Sequence, residues 1–169
     1  MPPSILNTAL GDLALIIKTN AETYLVDAGL EVPANSYVTH GSLSWDCCDL
    51  LVVTIDQVVK TKRFPSKDNV VHRPVRTAVS MTVYLSRCWP VGNDQYPIPS
   101  NQQLEDAALE LADYGWVLDQ RFSCAVADNS LISGVPFSCD SATYDGITPL
   151  GPGGGCAGWK LGVSVEAGT

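Results

Sequence analysis

Histidine is scarce in this chain: only His40 and His72 occur among 169 residues. Charge is thin as well, at 17% of residues, and basic charge is the scarcer kind, with 10 Lys and Arg against 18 Asp and Glu, giving a net charge of −8. A nucleic-acid-binding domain normally shows a basic balance and a basic patch. The one basic cluster here, Lys60, Lys62, Arg63 and Lys67, lies in a predicted loop, so adhesion to phosphate is not expected. No apolar run approaches the roughly 20 residues of a membrane-spanning helix. Met1-Pro2-Pro3-Ser4 carries no positive charge, and Leu13 to Ile17 is a short apolar stretch, so no secretory leader is expected.

Recognisable chemistry is also missing. A nucleophile activated by histidine needs a base and an orienting acid within hydrogen-bond reach, and both histidines fall in predicted loops and read as surface residues. No serine stands in a Gly-x-Ser-x-Gly elbow. The glycine-rich run Gly151-Pro152-Gly153-Gly154-Gly155 is followed by Cys156-Ala157-Gly158, whereas a P-loop requires Lys and Ser or Thr and then a helix. This run reads as a flexible connection. Acidic pairs such as Asp12/Glu22 and Glu105/Asp106 read as solvated helix faces. No cofactor or metal site is predicted. Cys47-Cys48 lacks the second cysteine pair and the two-to-four spacing of a structural zinc site.

What is present is a well-patterned chain with 46% apolar residues, long enough to bury about 70% of its unfolded surface in a single domain spanning residues 1–169. Six cysteines, Cys47, Cys48, Cys88, Cys124, Cys139 and Cys156, make an even count, but the disulfide-framework rule belongs to short secreted domains. Reduced thiols are expected, with Cys88 as a small core residue. A disulfide joining Cys47 or Cys48 to Cys156 or Cys88 depends on distances that sequence does not give.

Residues 4–27 read as a helix. Leu6, Leu10, Leu13, Ile17 and Tyr24 recur at helical spacing, with Ala9 and Ile16 beside them. Ser4 is placed to cap its start, and Gly29 to end it in a left-handed turn. Residues 50–59 are rich in β-branched side chains and read as a strand. Residues 60–74 form a polar, basic connection. Residues 75–88 alternate strictly, with Val75, Thr77, Val79, Met81, Val83 and Leu85 on one face. That face should meet a core, and the other should meet water or a neighbouring subunit.

Ser100 and Gln103 form a capping-box pattern at the start of a second helix. Leu104, Ala107, Ala108, Leu111, Gly115, Leu118 and Phe122 make its apolar stripe, and Glu105, Asp106 and Glu110 lie toward its positive end. Residues 127–158 read as a long loop, and 159–166 as a final strand. The order implies an α+β fold: a mainly antiparallel sheet packed with two main helices and long ordered loops, its core within residues 45–126.

Several segments together resemble one family. They are Trp45-Asp46-Cys47-Cys48-Asp49-Leu50-Leu51-Val52, Leu85-Ser86-Arg87-Cys88-Trp89-Pro90, the helix from Pro99-Ser100 through Asp113, the stretch Leu150 to Trp159, and Val163-Ser164-Val165. This pattern, within residues 40–169, is similar to the tail-terminator proteins (also called neck or head-tail connection proteins) of long-tailed bacteriophages of actinobacterial hosts. Segments 60–74 and 127–149 have no counterpart in it.

The resemblance implies a non-enzymatic virion component, assembled in the host cytoplasm. It implies a homo-hexameric ring on the head-proximal end of the tail, which ends growth of the major tail tube protein and offers a face to the head-tail connector or stopper protein. Genomic DNA would pass through the lumen without sequence-specific binding, and an acidic lumen would repel it. The contact loops expected between subunits or rings hold Lys60, Lys62, Arg63, Phe64, His72 and Arg73 on one side, and Gly151, Pro152, Gly153, Gly154, Gly155 and Trp159 on the other. Three alternatives stay open: another neck component such as a stopper or adaptor, a small hydrolase using Cys or Ser with His72, and a disulfide-rich binding domain.

Overall fold

The strict alternation of residues 75–88 belongs to the central strand of the sheet. The structure is a computed structural model that describes residues 5–41, 43, 49–61, 64, 76–92, 98–133, 139–153 and 155–167, with backbone alone for 5–8, 76, 139, 140 and 167. In chain order, helix α1 (Ile5–Asp27) leads to strands β1 (Asn35–His40), β2 (Leu50–Thr61) and β3 (Arg76–Cys88), then to helix α2 (Asn101–Ala127) and strands β4 (Cys139–Gly153) and β5 (Cys156–Ala167). The five strands form one sheet in the order β1-β2-β3-β5-β4. β1 runs parallel to β2, and the other neighbouring pairs are antiparallel. α1 lies over β1 and β2, α2 lies over β5 and β4, and the helices touch each other. This is the α+β fold expected from the sequence.

The core forms where the odd-numbered face of β3 meets the helices. Val79, Met81, Val83 and Leu85 stand opposite Val165, Val163, Leu161 and Trp159 of β5, and Leu51, Val53 and Ile55 extend the layer across β2. Leu13, Ala14, Ile17, Ala21 and Leu25 of α1 and Tyr114, Leu118, Phe122 and Ala125 of α2 close over it. The buried stripe of α1 thus includes Ala14, Ala21 and Leu25, which sequence spacing alone does not single out. Tyr24 meets Phe122 edge-on at 5.4 Å, and Phe122 stacks on Tyr144 of β4 at 6.5 Å. On α2, Ala108 lies at the flank of the predicted stripe and is exposed.

The helix ends follow local chemistry. Gly29 adopts φ +74° after α1. Its N–H bonds to Val26 O, and the Leu30 N–H reaches back to Leu25 O. That is the Schellman pattern, which satisfies orphaned carbonyls. The cap predicted at Ser4 lies outside the described residues. At α2 the capping box is complete: Ser100 Oγ accepts from Gln103 N, and Gln103 Oε1 accepts from Ser100 N. The first turn of α2 holds no acidic residue. Glu105 and Asp106 come one turn later, where the dipole has largely faded.

Two elements correct the sequence reading. β1 is a short edge strand in a stretch without strong β-branched character. Residues 127–158 are not one long loop, because β4 occupies Cys139–Gly153 and β5 begins at Cys156. Gly146, Pro149, Gly151 and Pro152 read as loop signals, yet an edge strand tolerates them. One side of such a strand needs no ladder partner, and bulges absorb misfits. β4 has three such register shifts, between Cys139 and Ser141, Tyr144 and Ile147, and Leu150 and Gly153. Gly151, Pro152 and Gly153 are therefore the end of β4 rather than a flexible connection, and Gly155 adopts φ +80° just before β5.

Trp159 locks α2 to the sheet. Its indole N–H donates to Leu111 O at 2.7 Å, and its ring lies where a side chain on Gly115 would be. A Cβ there would come within 2.5 Å of the ring. At the other end of the helix layer, Glu22 of α1 accepts hydrogen bonds from Lys18 at 2.6 Å and from Ser36 of β1 at 2.5 Å. Burial alone would raise the Glu22 pKa, but these hydrogen bonds and the Lys18 charge outweigh it and hold the pKa below the ordinary 4.5.

Two outcomes follow for stability. Gly115→Ala gains about 1 kcal/mol of helix propensity but loses about 1–3 kcal/mol to overpacking against an anchored ring, so urea unfolding should show net destabilisation. Gly11→Ala in α1, with nothing within 4 Å of the added Cβ, should instead be stabilising. A carboxylate with a depressed pKa stabilises the fold above its unfolded pKa and loses that contribution as pH falls through its folded pKa. Glu22→Gln should therefore cost stability at pH 7, and the difference from the native protein should shrink as acid titration carries Glu22 through its lowered pKa.

Candidate functional site: the helix-free face and the two ends of the sheet

Because alternate residues of a strand face opposite ways, the even-numbered side chains of β3 and their neighbours form the face that carries no helix. It carries small polar residues in cross-strand rows beside the apolar Leu50, Val52 and Ala78, and Thr54, Ser80, Ser86 and Ser164 on it are buried. Thr54 stands opposite Thr82, and Thr82 opposite Gly162. Ser80 stands opposite Ser164, and Ser164 opposite Thr143. A bulge between Ile55 and Gln57 sets Asp56 beside these rows, where its carboxylate accepts from Thr54 Oγ1 and Thr82 Oγ1, both at 2.6 Å. Ser80 Oγ and Ser164 Oγ share a hydrogen bond of 3.3 Å, and Ser141 Oγ donates to the buried Glu166 at 2.8 Å. Ser86 Oγ and Thr143 Oγ1 are buried with no hydrogen-bond partner.

A hollow of about 240 Å³ opens on this face, lined by Thr82, Tyr84, Asp145, Thr148, Lys160 and Gly162. Burial, then the nearby Asp56 charge, push the Tyr84 phenol above its ordinary pKa, outweighing a hydrogen bond to Thr82. It is therefore a neutral phenol at physiological pH. The hollow falls short of the roughly 300–1,000 Å³ usual for small-molecule sites. It holds neither histidine nor cysteine. Among the described residues no group of three or more His, Cys, Asp and Glu is placed to hold a metal ion.

The second charged cluster lies on the helix side. Arg87, near the end of β3, pairs with Asp49 Oδ1, bonds Glu110 Oε1 at 3.2 Å and lies over the Tyr114 ring with 5.1 Å to its centroid. Asp49 adopts φ +65° just before β2, accepts from Ala34 N at 2.8 Å through its carboxylate, and takes a bond from Asn35 N through its carbonyl. The Tyr114 hydroxyl donates to Glu31 O at 2.8 Å. Burial works against the Arg87 charge, but Tyr114, Asp49 and Glu110 outweigh it and raise the pKa. Every polar group in this node is engaged with structure. It is a clasp joining β1, β2, β3 and α2, and sequence reading passes over it because its members are scattered along the chain.

The predicted contact residues fall into two sets at opposite ends of the sheet. Lys60 is exposed near the end of β2, and its ammonium donates to Thr77 at 2.7 Å near the start of β3. Phe64 is half-buried in a turn. Lys62, Arg63, His72 and Arg73 lie outside the described residues. At the other end, Gly151, Pro152 and Gly153 are exposed where β4 closes, and Gly155 O accepts from Trp89 N at 2.7 Å. Gly154 lies outside the described residues. Trp159 belongs to neither set. It sits within β5 on the core side, because the strand begins earlier than its sequence pattern suggests. His40 is exposed at the end of β1.

The cysteines depart from expectation in two places. Cys156 is disulfide-bonded, so the chain is not fully reduced; spacing could not reveal that the fold brings another sulfur to it. Cys88 is a free thiol but is exposed at the end of β3 rather than buried. Cys124 is also free and exposed. No helix among the described residues is long and apolar enough to cross a membrane.

The chain matches no known protein-family model, and no curated protein is recognisably similar to it.

The clasp is testable by double-mutant cycles. Asp49 is less exposed than Glu110, at 31% against 54%, and exposed ion pairs contribute little. The Arg87–Asp49 coupling should therefore exceed the Arg87–Glu110 coupling, which should stay below about 1 kcal/mol. Arg87→Ala alone should cost about 1–3 kcal/mol in urea unfolding, because it leaves charged partners uncompensated.

Proposed function

We propose that this protein is a non-enzymatic ring subunit of a long-tailed bacteriophage, seated at the head-proximal end of the tail tube, where it ends tube growth and joins the tail to the head connector. The observation that carries this reading is the placement of the two contact segments. Lys60, near the end of β2, lies at one end of a single sheet, and Gly151–Gly153 with Gly155 lie at the other, on the order of 35–40 Å away along β3 at the rise of an extended strand. A ring between a tube and a connector must meet a different partner on each of its two faces, and this subunit offers one segment to each. The exposed outer side of α2, with Leu109 and Trp116, is then left for neighbours within the ring. Genomic DNA would pass the assembled ring without base-specific contacts, in keeping with the −8 charge of each copy.

The test is deletion of the gene from its phage followed by negative-stain electron microscopy of the lysate. Overlong tails beside unjoined heads are expected. Tails of normal length beside leaking heads would instead place the protein on the head side of the neck, as a stopper or adaptor.

A further inference from the structure

A free thiol and a disulfide-bonded sulfur meet across the last rung of the β3–β5 ladder. Cys88 stands opposite Cys156, and residues directly opposite one another in a sheet project from the same face. The Trp89 N–H donates to Gly155 O at 2.7 Å, which marks Trp89 and Gly155 as a hydrogen-bonded pair. The next pair, Cys88 and Cys156, is then a non-hydrogen-bonded one. Pairs of that type bring side chains closest, with Cα atoms about 4.5 Å apart. This lies inside the span that a disulfide bridges, roughly 4.4–6.8 Å between Cα atoms. Cys156 is nevertheless bonded elsewhere, because Cys88 is free, as is Cys124.

The two sulfurs differ in access. Cys88 is exposed, whereas Cys156 is only 5% exposed. A thiol in solution reaches Cys88 readily and Cys156 hardly at all. A thiol of the protein itself, however, is held beside the buried sulfur. Holding two reactants side by side turns an encounter in solution into an effectively unimolecular step.

We propose that Cys88 and Cys156 form an internal thiol–disulfide exchange site. Cys88 gives its proton to water, and its thiolate sulfur attacks Cys156 Sγ. A Cys88–Cys156 bond forms as the bond from Cys156 to its present partner breaks, and the departing sulfur takes up a proton. One disulfide is consumed and one is made, so no oxidant or reductant is needed. The exchange moves a covalent tie onto the β3–β5 ladder, at the end of the sheet where Gly151–Gly153 close β4. The chain then has two covalent isomers that differ at this end. This site stands independently of the ring reading.

For the test, the purified full chain is held dilute at about pH 8, quenched in acid at intervals, alkylated with N-ethylmaleimide and mapped by peptide mass spectrometry. Peptides joined through Cys88 and Cys156 should appear over minutes to hours. Labelling of Cys88 should fall while labelling rises equally at a cysteine other than Cys88, Cys124 and Cys156, and Cys124 should label unchanged throughout. The joined peptides should form at least about tenfold faster in the native protein than in urea, where the two cysteines meet only as points on a flexible chain. Cys88→Ser alters an exposed side chain, so it should keep the native near-ultraviolet circular dichroism, and in it no new thiol should appear. A Cys156 that is alkylated from the outset overturns the inference. A Cys88 that stays fully labelled in the native protein does the same, as does a native rate no higher than that in urea. Consumption of Cys88 in bonds between chains, seen as dimers on a non-reducing gel, also overturns it, and so does a new thiol that still appears in Cys88→Ser.

Discussion

The fold depends on the register of one strand. β3 lies in the middle of the sheet and pairs along its length with β2 and with β5, so its alternation dictates which side chains of all three strands meet the helices. Val79, Met81, Val83 and Leu85 are buried to 1% exposure or less. A slip by one residue would turn Ser80, Thr82 and Tyr84 into the core and put four large apolar side chains on the polar face. The helices reinforce the chosen register at fixed points. Trp159 reaches across to α2 through the space left by Gly115, and Arg87 ties the end of β3 to the turn at Asp49. The Arg87–Asp49 pair does not survive displacement of β3 against β2.

This explains how much of the molecule is legible in its sequence. Segments whose periodicity reflects a one-sided burial announce themselves: α1, β2, β3 and α2 appear within a residue or two of their predicted bounds, and the capping box at Ser100 and the Gly29 terminus have purely local causes. The edges of the sheet do not. β1 is short and half-exposed, and β4 is bulged and interrupted by proline, so neither carries a two-residue apolar rhythm. Long-range contacts are illegible for a different reason. Nothing near Gly115 in sequence indicates that a tryptophan 44 positions later occupies its Cβ position, and nothing near Cys156 announces its disulfide. That Lys60 and the Gly151–Gly153 end of β4 fall at opposite ends of one sheet follows only from the antiparallel pairing.

The two faces of the sheet do different work with the same strands. On the helix side, apolar area removed from water provides stability. On the other, hydroxyls bond to one another and to Asp56 and Glu166, while Ser86 and Thr143 are buried without hydrogen-bond partners.

The irregular edge formed by β4 bears on how copies of this chain can meet. An exposed strand is a template on which further chains can lay strands, and a protein held in quantity before use is exposed to that hazard. β4 carries two prolines, which have no N–H to offer, and three shifts of register that spoil any continuous ladder. Stacking of copies through this margin into an endless fibril is thereby obstructed.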